Sequence, residues 1–370
     1  MRSLALCTLL AAIAVGCNDA PDTPNRPAPG AAGAAGPVDE GTAEGGVASV
    51  FSLAWSEYPS WSVFGVAHEK GLLNKDEGEM GTLEEKYGVD IVLKQLDYDP
   101  CLTAYGSGSV DAVCMTNMDA LAPATGLTSV AILPTSTSDG ADACIAVGIE
   151  DLDGLKGVTT YGLEKSVSQY AFERCLIKEG RDPADYPFRN MDPGTAAVTM
   201  QNGDDSVKSI MVWNPFVLQT LRDRDGATRL FDSTQIPEEI IDMVVVSKSA
   251  LERDGGEAFA KCVCEAFYAV NGMLQEGAEG RDDTLVMLGE KFSSLGLEDM
   301  KQVVTETKMY ATADDGIGLF AKDSFRGETM PTVAKFCVDQ AIIDEAPSIG
   351  FGDAEAQLNF DPQYMEAVKK

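Results

Sequence analysis

Residues 50–70 fall into three blocks: Val50-Phe51-Ser52-Leu53-Ala54-Trp55, then Ser56-Glu57-Tyr58-Pro59-Ser60, then Trp61 to Lys70. The first reads as a buried strand, the second as a turn and the third as a helix. Three more junctions of this kind follow. Val110 to Met115 reads as a strand leading into Thr116-Asn117-Met118-Asp119 and a short helix. Gly157 to Tyr161 leads through Gly162-Leu163-Glu164-Lys165 into a helix opening at Ser166, where Ser166 and Gln169 stand at capping-box spacing. Ser209 to Trp213 leads to Asn214, read as an N-cap, and Pro215, read as the first helical residue. Strand and helix signals alternate throughout, which predicts an α/β fold of mostly parallel sheets flanked by helices. In such sheets ligands bind beyond the carboxyl ends of the strands, where helix N-termini present free N–H groups. All four junctions are therefore expected to line one cleft.

The beginning of the chain predicts export. Arg2 precedes a short apolar run, Leu4 to Ile13, that ends in Ala14-Val15-Gly16-Cys17. About ten residues are half of what a bilayer span requires, and a positive start, apolar middle and small-residue exit describe a secretory signal. A cysteine directly after the small residues makes this a lipobox, with residues 1–16 removed and Cys17 as the lipidated N-terminus. Residues 17–47 are rich in Pro, Ala, Gly and acids without apolar period, the composition of an anchor and unfolded tether. The remaining stretch of about 320 residues exceeds one ordinary core and predicts two lobes.

Twenty-eight Lys and Arg against 59 Asp and Glu give a net charge of −31. That excludes a nucleic-acid footprint, which must be basic, and suits a chain repelled by anionic membrane surfaces. Of nine cysteines, Cys7 and Cys17 lie at the processed end. The odd number left over predicts at least one free thiol. Cys262 and Cys264 stand two apart in an expected helix, Ala258 to Leu274, pointing to different faces. With no Cys or His cluster beside them they read as packed thiols, and no metal or cofactor is expected.

All three tryptophans, Trp55, Trp61 and Trp213, fall at the junctions. Aromatic walls are usual in small-ligand pockets, and an indole face attracts cations. Glu57, Asn117, Asp119, Asp139, Asp142, Glu164 and Asn214 stand beside them, with Lys165 the one nearby base. Several of these could equally cap helices or face solvent. If they face the cleft, a cationic or neutral hydrogen-bonding ligand fits better than an anion. Catalysis has little support: the single histidine, His68, sits inside a helix, and there is no phosphate loop, nucleophile elbow or Cys/His ligand set.

The motif Ala54-Trp55-Ser56-Glu57-Tyr58-Pro59-Ser60-Trp61, with Ala67-His68-Glu69-Lys70-Gly71-Leu72-Leu73 after it, resembles the substrate-binding proteins of ABC importers. The group is the nitrate/sulfonate/taurine and thiamine-precursor type, nearest a branch linked to urea-like nitrogen compounds. Ser109 to Val113, Met115-Thr116-Asn117-Met118-Asp119-Ala120-Leu121, Leu155-Lys156-Gly157, Ser166-Val167-Ser168-Gln169-Tyr170, Val212-Trp213-Asn214-Pro215 and Asn359-Phe360-Asp361-Pro362 extend the similarity over about residues 50–366. The resemblance implies a two-lobed, type II periplasmic-binding fold, with lobes at 48–138 plus 245–370 and at 139–244. It implies capture rather than catalysis, by a monomer anchored only through lipid, with a small-molecule ligand and a membrane permease and its ATPase as partners. Trp55, Tyr58, Trp61, Asn117, Asp119, Ser166, Ser168, Trp213 and Asn214 match the positions that hold ligand in such proteins. Glu57, Thr116, Asp139 and Asp142 join them by their place at strand ends. Where that branch tends to have Ser-Asn-Gly-Asn-Asp, this chain has Ser138-Asp139-Gly140-Ala141-Asp142, so the branch's ligand does not carry over. Sulfonate or nitrate binding, a pyrimidine-forming enzyme of the thiamine-precursor group and a sensory binding protein are the alternatives.

Overall fold

A computed structural model describes residues 48–352 and 354–369. The signal, Cys17 and the tether lie outside the described residues. Among the described residues, twelve strands build two sheets. The first four, β1 (Ser49–Trp55), β2 (Val89–Gln95), β3 (Ala112–Thr116) and β4 (Ser129–Thr137), open the larger sheet. The chain then crosses to the smaller sheet for β5 (Asp142–Val147), β6 (Thr160–Gly162), β7 (Phe188–Asn190), β8 (Ser209–Trp213) and β9 (Ala227–Asp232). It returns for β10 (Ile241–Ser247), β11 (Ile349–Phe351) and β12 (Leu358–Phe360).

The sheet orders are β11-β12-β4-β10-β3-β1-β2 and β7-β6-β8-β5-β9. Setting aside β11 and β12, both follow one plan: second, first, third, arriving strand, fourth. Each sheet is mixed rather than parallel throughout, because β10 runs antiparallel to β3 and β4, and β5 antiparallel to β8 and β9. The cause is the crossing itself. A strand entering from the other sheet starts at the edge facing that sheet, where the parallel strands end, so it must run against them. Both crossings thereby bring strand starts into the gap occupied by strand ends. Because Ile241 to Val244 already pair with β3 and β4, a lobe boundary after residue 244 falls inside β10.

The core follows from strand composition. β3, β4, β8 and β10 are buried along their whole length, as strands covered on both faces must be. The helix Gly256–Leu274 packs on the larger sheet, with the Phe259 ring stacked on Phe51 at 4.6 Å. Cys262 and Cys264 are both buried in it, since helices Val63–Glu69, Thr82–Tyr87 and Gln363–Val368 cover the sides that the sheet does not. The seven cysteines among the described residues are all free, buried thiols. No helix of the described residues is long and apolar enough to cross a membrane, and no metal-holding group of His, Cys, Asp or Glu occurs among them.

Candidate functional site

The four junctions converge between the sheets, and each differs in detail from its sequence reading. After β1 the chain makes a turn through Pro59 to Ser62 before the helix Val63–Glu69 begins, two residues later than the spacing suggests. That turn swings Tyr58 and Trp61 inward, and both are buried. Trp55, at the end of β1, packs edge-on against Phe292 at 5.4 Å. Gly65 permits this contact, because a Cβ there would lie 2.5 Å from the Phe292 ring and 2.8 Å from Trp55. The third strand is shorter than expected, since Gly157 has φ +78° and pairing begins only at Thr160. Ser166 does cap the helix Val167–Lys178, accepting the Ser168 N–H, but Gln169 reaches past it to the Lys165 N–H. The fourth junction departs most. The Asn214–Pro215 peptide is cis, the helix starts at Phe216, and Asn214 caps nothing. Its side-chain amide donates instead to Glu306 at 2.8 Å.

At the centre, Tyr58, Trp61, Tyr98, Thr116, Asp142, Val167, Trp213 and Asp242 surround a cavity of about 10 Å³, about the room one water needs. The rings form a continuous wall. Trp61 stacks on Tyr98 at 5.2 Å, Tyr58 tilts against Trp61 at 5.0 Å, and Trp213 meets Tyr98 edge-on at 5.4 Å. No lysine, arginine or histidine is among the lining residues.

The carboxylates are the chemically telling groups. Asp142 is 3% exposed and Asp242 2% exposed. Burial pushes the Asp142 carboxyl up to about 7 against the help of Ser138, with Asp119 and Asp232 adding to the rise. Burial likewise drives Asp242 well above the ordinary range, although Ser136 donates to it at 2.6 Å. Asp119 borders the cavity through its partners: Tyr98 OH donates to it at 2.7 Å, Thr116 Oγ1 at 2.9 Å and the Val167 N–H at 3.4 Å. Burial outweighs these bonds and raises Asp119 to about 6. Glu57 rises to about 7, mainly by desolvation, with Trp213 opposing the shift and Asp97 and Asp192 adding to it.

Buried polar atoms with no hydrogen-bond partner include the indole N–H groups of Trp55 and Trp61 and the hydroxyls of Ser56 and Ser168. Native interiors leave few such groups unmatched; others stand at His68, Asp90, Arg224, Tyr268 and Asn359, and of the first four Trp61 is the one whose residue lines the cavity.

The other residues singled out in the sequence do different work. Asn117 ties the sheets' connection together, accepting the Ile241 N–H at 3.1 Å and donating to the Glu239 carbonyl. The Ser166 hydroxyl is used up between the Leu163 carbonyl and the Ser168 N–H. Asp139, Glu164 and Lys165 are exposed, and Lys165 instead lines a groove outside the cavity with Asp119, Met118 and Ile342. Sequence reasoning missed Tyr98 and Asp242. Tyr98 follows β2, a strand-to-helix junction of the same kind as the other four. Asp242 is the one acid in Ile241-Asp242-Met243-Val244-Val245-Val246, and an acid in a fully buried run needs a partner or a purpose.

The sheets are also clasped from outside the cavity. Arg229 pairs with Glu306 at 3.1 Å, Arg222 with Asp299 at 3.3 Å, and the Gln340 side chain donates to Glu173 at 2.8 Å. This is a closed cleft.

No family model matches the chain, and no curated protein matches it. Solved structures match its fold. The alkanesulfonate-binding protein SsuA of Xanthomonas axonopodis pv. citri, bound to MOPS, is 16% identical with a TM-score of 0.62, over 80% of this chain and 94% of that one. The periplasmic aliphatic sulphonate-binding protein SsuA of Escherichia coli gives 16% and 0.61, over 80% and 89%. The periplasmic nitrate-binding protein NrtA of Synechocystis PCC 6803 gives 12% and 0.57, over 87% and 88%. The chain has the periplasmic-binding-protein fold.

Proposed function

We propose that this chain is the lipid-anchored, extracytoplasmic substrate-binding protein of an ABC importer, and that its cargo is a small cationic or amide-like nitrogen compound. In this reading two lobes, 48–138 with 241–370 and 139–240, open and close about the crossings at 138–141 and 233–240. Ligand bridging the lobes favours the closed form, which docks as a monomer on a permease driven by its ATPase. The fold and the sequence resemblance support the transport role. The cargo class rests on one observation: a cavity walled by four aromatic rings and floored by Asp142 and Asp242 has no basic residue in its lining. An oxyanion there would meet buried carboxylates, whereas a cation would relieve them and gain from the ring faces.

Sulfonate or nitrate, the ligands named for the fold neighbours, make the second reading. The unpartnered indole N–H group of Trp61 favours it, since it can only donate. The pyrimidine-forming alternative implies an active-site histidine and lysine, and the cavity lining contains neither. Calorimetric titration with guanidinium-, amine- and urea-type compounds beside taurine, alkylsulfonates and nitrate separates the cargo classes. Tight binding of a sulfonate or nitrate, without response to the nitrogen compounds, overturns the cationic assignment and leaves the transport role standing.

A further inference from the structure

We propose that the charged group of the cargo is a protonated nitrogen bearing at least two N–H donors, held between Asp142 and Asp242 where the chain crosses between the sheets. The proposal rests on the cation reading above and narrows it. Asp142 is the first residue of β5 and Asp242 the second of β10, the two strands that arrive from the opposite sheet. Antiparallel entry puts both strand starts in the gap, so each crossing contributes one carboxylate to the same small cavity. A group bonded to both joins the two crossings directly.

Each of the two carboxyl groups brings a pair of acceptor oxygens to this point. Asp242 accepts the Ser136 hydroxyl, which stands in a row with Ser60 and Thr135 at 2.9 and 3.0 Å, and the Tyr58 hydroxyl also favours its ionised form. Asp142 has Ser138 as its favourable neighbour, but that hydroxyl is shared with Ser233 at 2.7 Å. The Tyr58 hydroxyl is buried in the same cavity beside Asp242 and Asp142, and the Trp61 indole N–H, 2% exposed, lines it without a partner.

The groups facing the pair bring no positive charge: Tyr58 from the β1 junction, Tyr98 from the β2 junction, Asp119 beyond β3, Asp232 at the end of β9, and Tyr310. Arg229 beside Asp232 is engaged by Asp232 and Glu306, and Lys165, which shares a groove with Asp119 outside the cavity, is exposed. A quaternary ammonium would supply charge but no N–H, leaving the carboxylate lone pairs unfilled. Urea would supply N–H but no charge. An ammonium group, similar in size to water, fits the cavity, and a flat guanidinium fits the aromatic wall once the cleft widens.

A second consequence follows from the same geometry. Burial raises both carboxyls, and a cation held against them favours their ionised forms. A proton carried by either carboxyl in the free protein then passes to buffer when the cation binds.

The test uses the full chain and five probes: methylammonium, guanidinium, tetramethylammonium, urea and methanesulfonate, titrated at pH 7 in two buffers of different ionisation enthalpy. Saturable binding of methylammonium or guanidinium is expected, at least about tenfold tighter than tetramethylammonium or urea, with buffer-dependent heat that reports proton release. Asp142→Asn and Asp242→Asn should each weaken it about tenfold or more, provided their melting profiles show an intact fold. Equal binding of tetramethylammonium or urea, or no saturable heat with either N–H cation, overturns the proposal, and these arms need no variant. Unchanged cation binding in both Asn variants also overturns it, while leaving the cation reading intact. Binding of methanesulfonate alone removes the cation reading itself.

Discussion

Raising the pH of the ligand-free protein from 5 to 8 should destabilise it, by an amount that the cleft carboxylates set. Asp142 moves from 3.8 to about 7 on folding, and Asp119 from 3.8 to about 6. At about 1.4 kcal/mol per unit, these correspond to roughly 4 and 3 kcal/mol as upper figures. Because the two acids interact with each other and with Asp242, they titrate as a set, and roughly 3–5 kcal/mol in total is the reasonable expectation. The direction follows from the shifts. A carboxyl whose folded value is raised holds its full stability below the unfolded value near 4, and loses it as pH climbs through the folded value near 6–7. Urea unfolding at half-unit pH steps, followed by tryptophan fluorescence, measures this directly. Carboxylates elsewhere on so acidic a chain also lower stability as pH rises, so the control is internal. The Asp142→Asn/Asp242→Asn double variant should flatten most of the slope between pH 6 and 8. A wild-type profile that is flat over that interval, or a double variant with an unchanged slope, would refute the idea that burial strains these acids.

Trp213→Ala should weaken ligand binding by about 2 kcal/mol, a typical loss for a buried aromatic anchor, and should abolish part of the fluorescence response to ligand. Unchanged affinity with an intact fold would assign Trp213 to the scaffold. Glu306→Ala frees Asn214, Arg229 and Gln302 at once. It should shift the unliganded protein toward the open form by roughly 1–3 kcal/mol, read as a larger radius of gyration in solution scattering, and no change would show the clasp to be incidental. Cys17→Ser should leave an exported protein that no longer partitions with membranes, and retention equal to wild type would refute the lipobox reading.

Where the cavity-lining groups come from separates the two sources of information. Local signals in the chain sufficed for the α/β alternation, for the β1 and β8 strands, and for the clustering of Trp55, Trp61 and Trp213 at strand ends, because periodicity and junction chemistry are written in consecutive residues. Even the Ser166 cap was legible, as it depends on neighbours two and three positions away. What the chain could not disclose is which of the acids at those junctions turn inward. Asp139 and Asp142 lie three residues apart in one segment, yet the first is exposed and the second buried. The difference arises because β5 begins pairing at Asp142, opposite Trp213, a partner about seventy residues away. Asn117 and Asn214 looked like ligand amides, but each is claimed by a residue distant in sequence, Ile241 and Glu306 respectively. Asp242 reaches the cavity only because β10 inserts antiparallel between β3 and β4. Composition and spacing determined that a cleft exists and which strand ends border it. Its charge was decided by the two crossings between the sheets, since only long-range strand pairing sets which side chains are removed from water and what they face there.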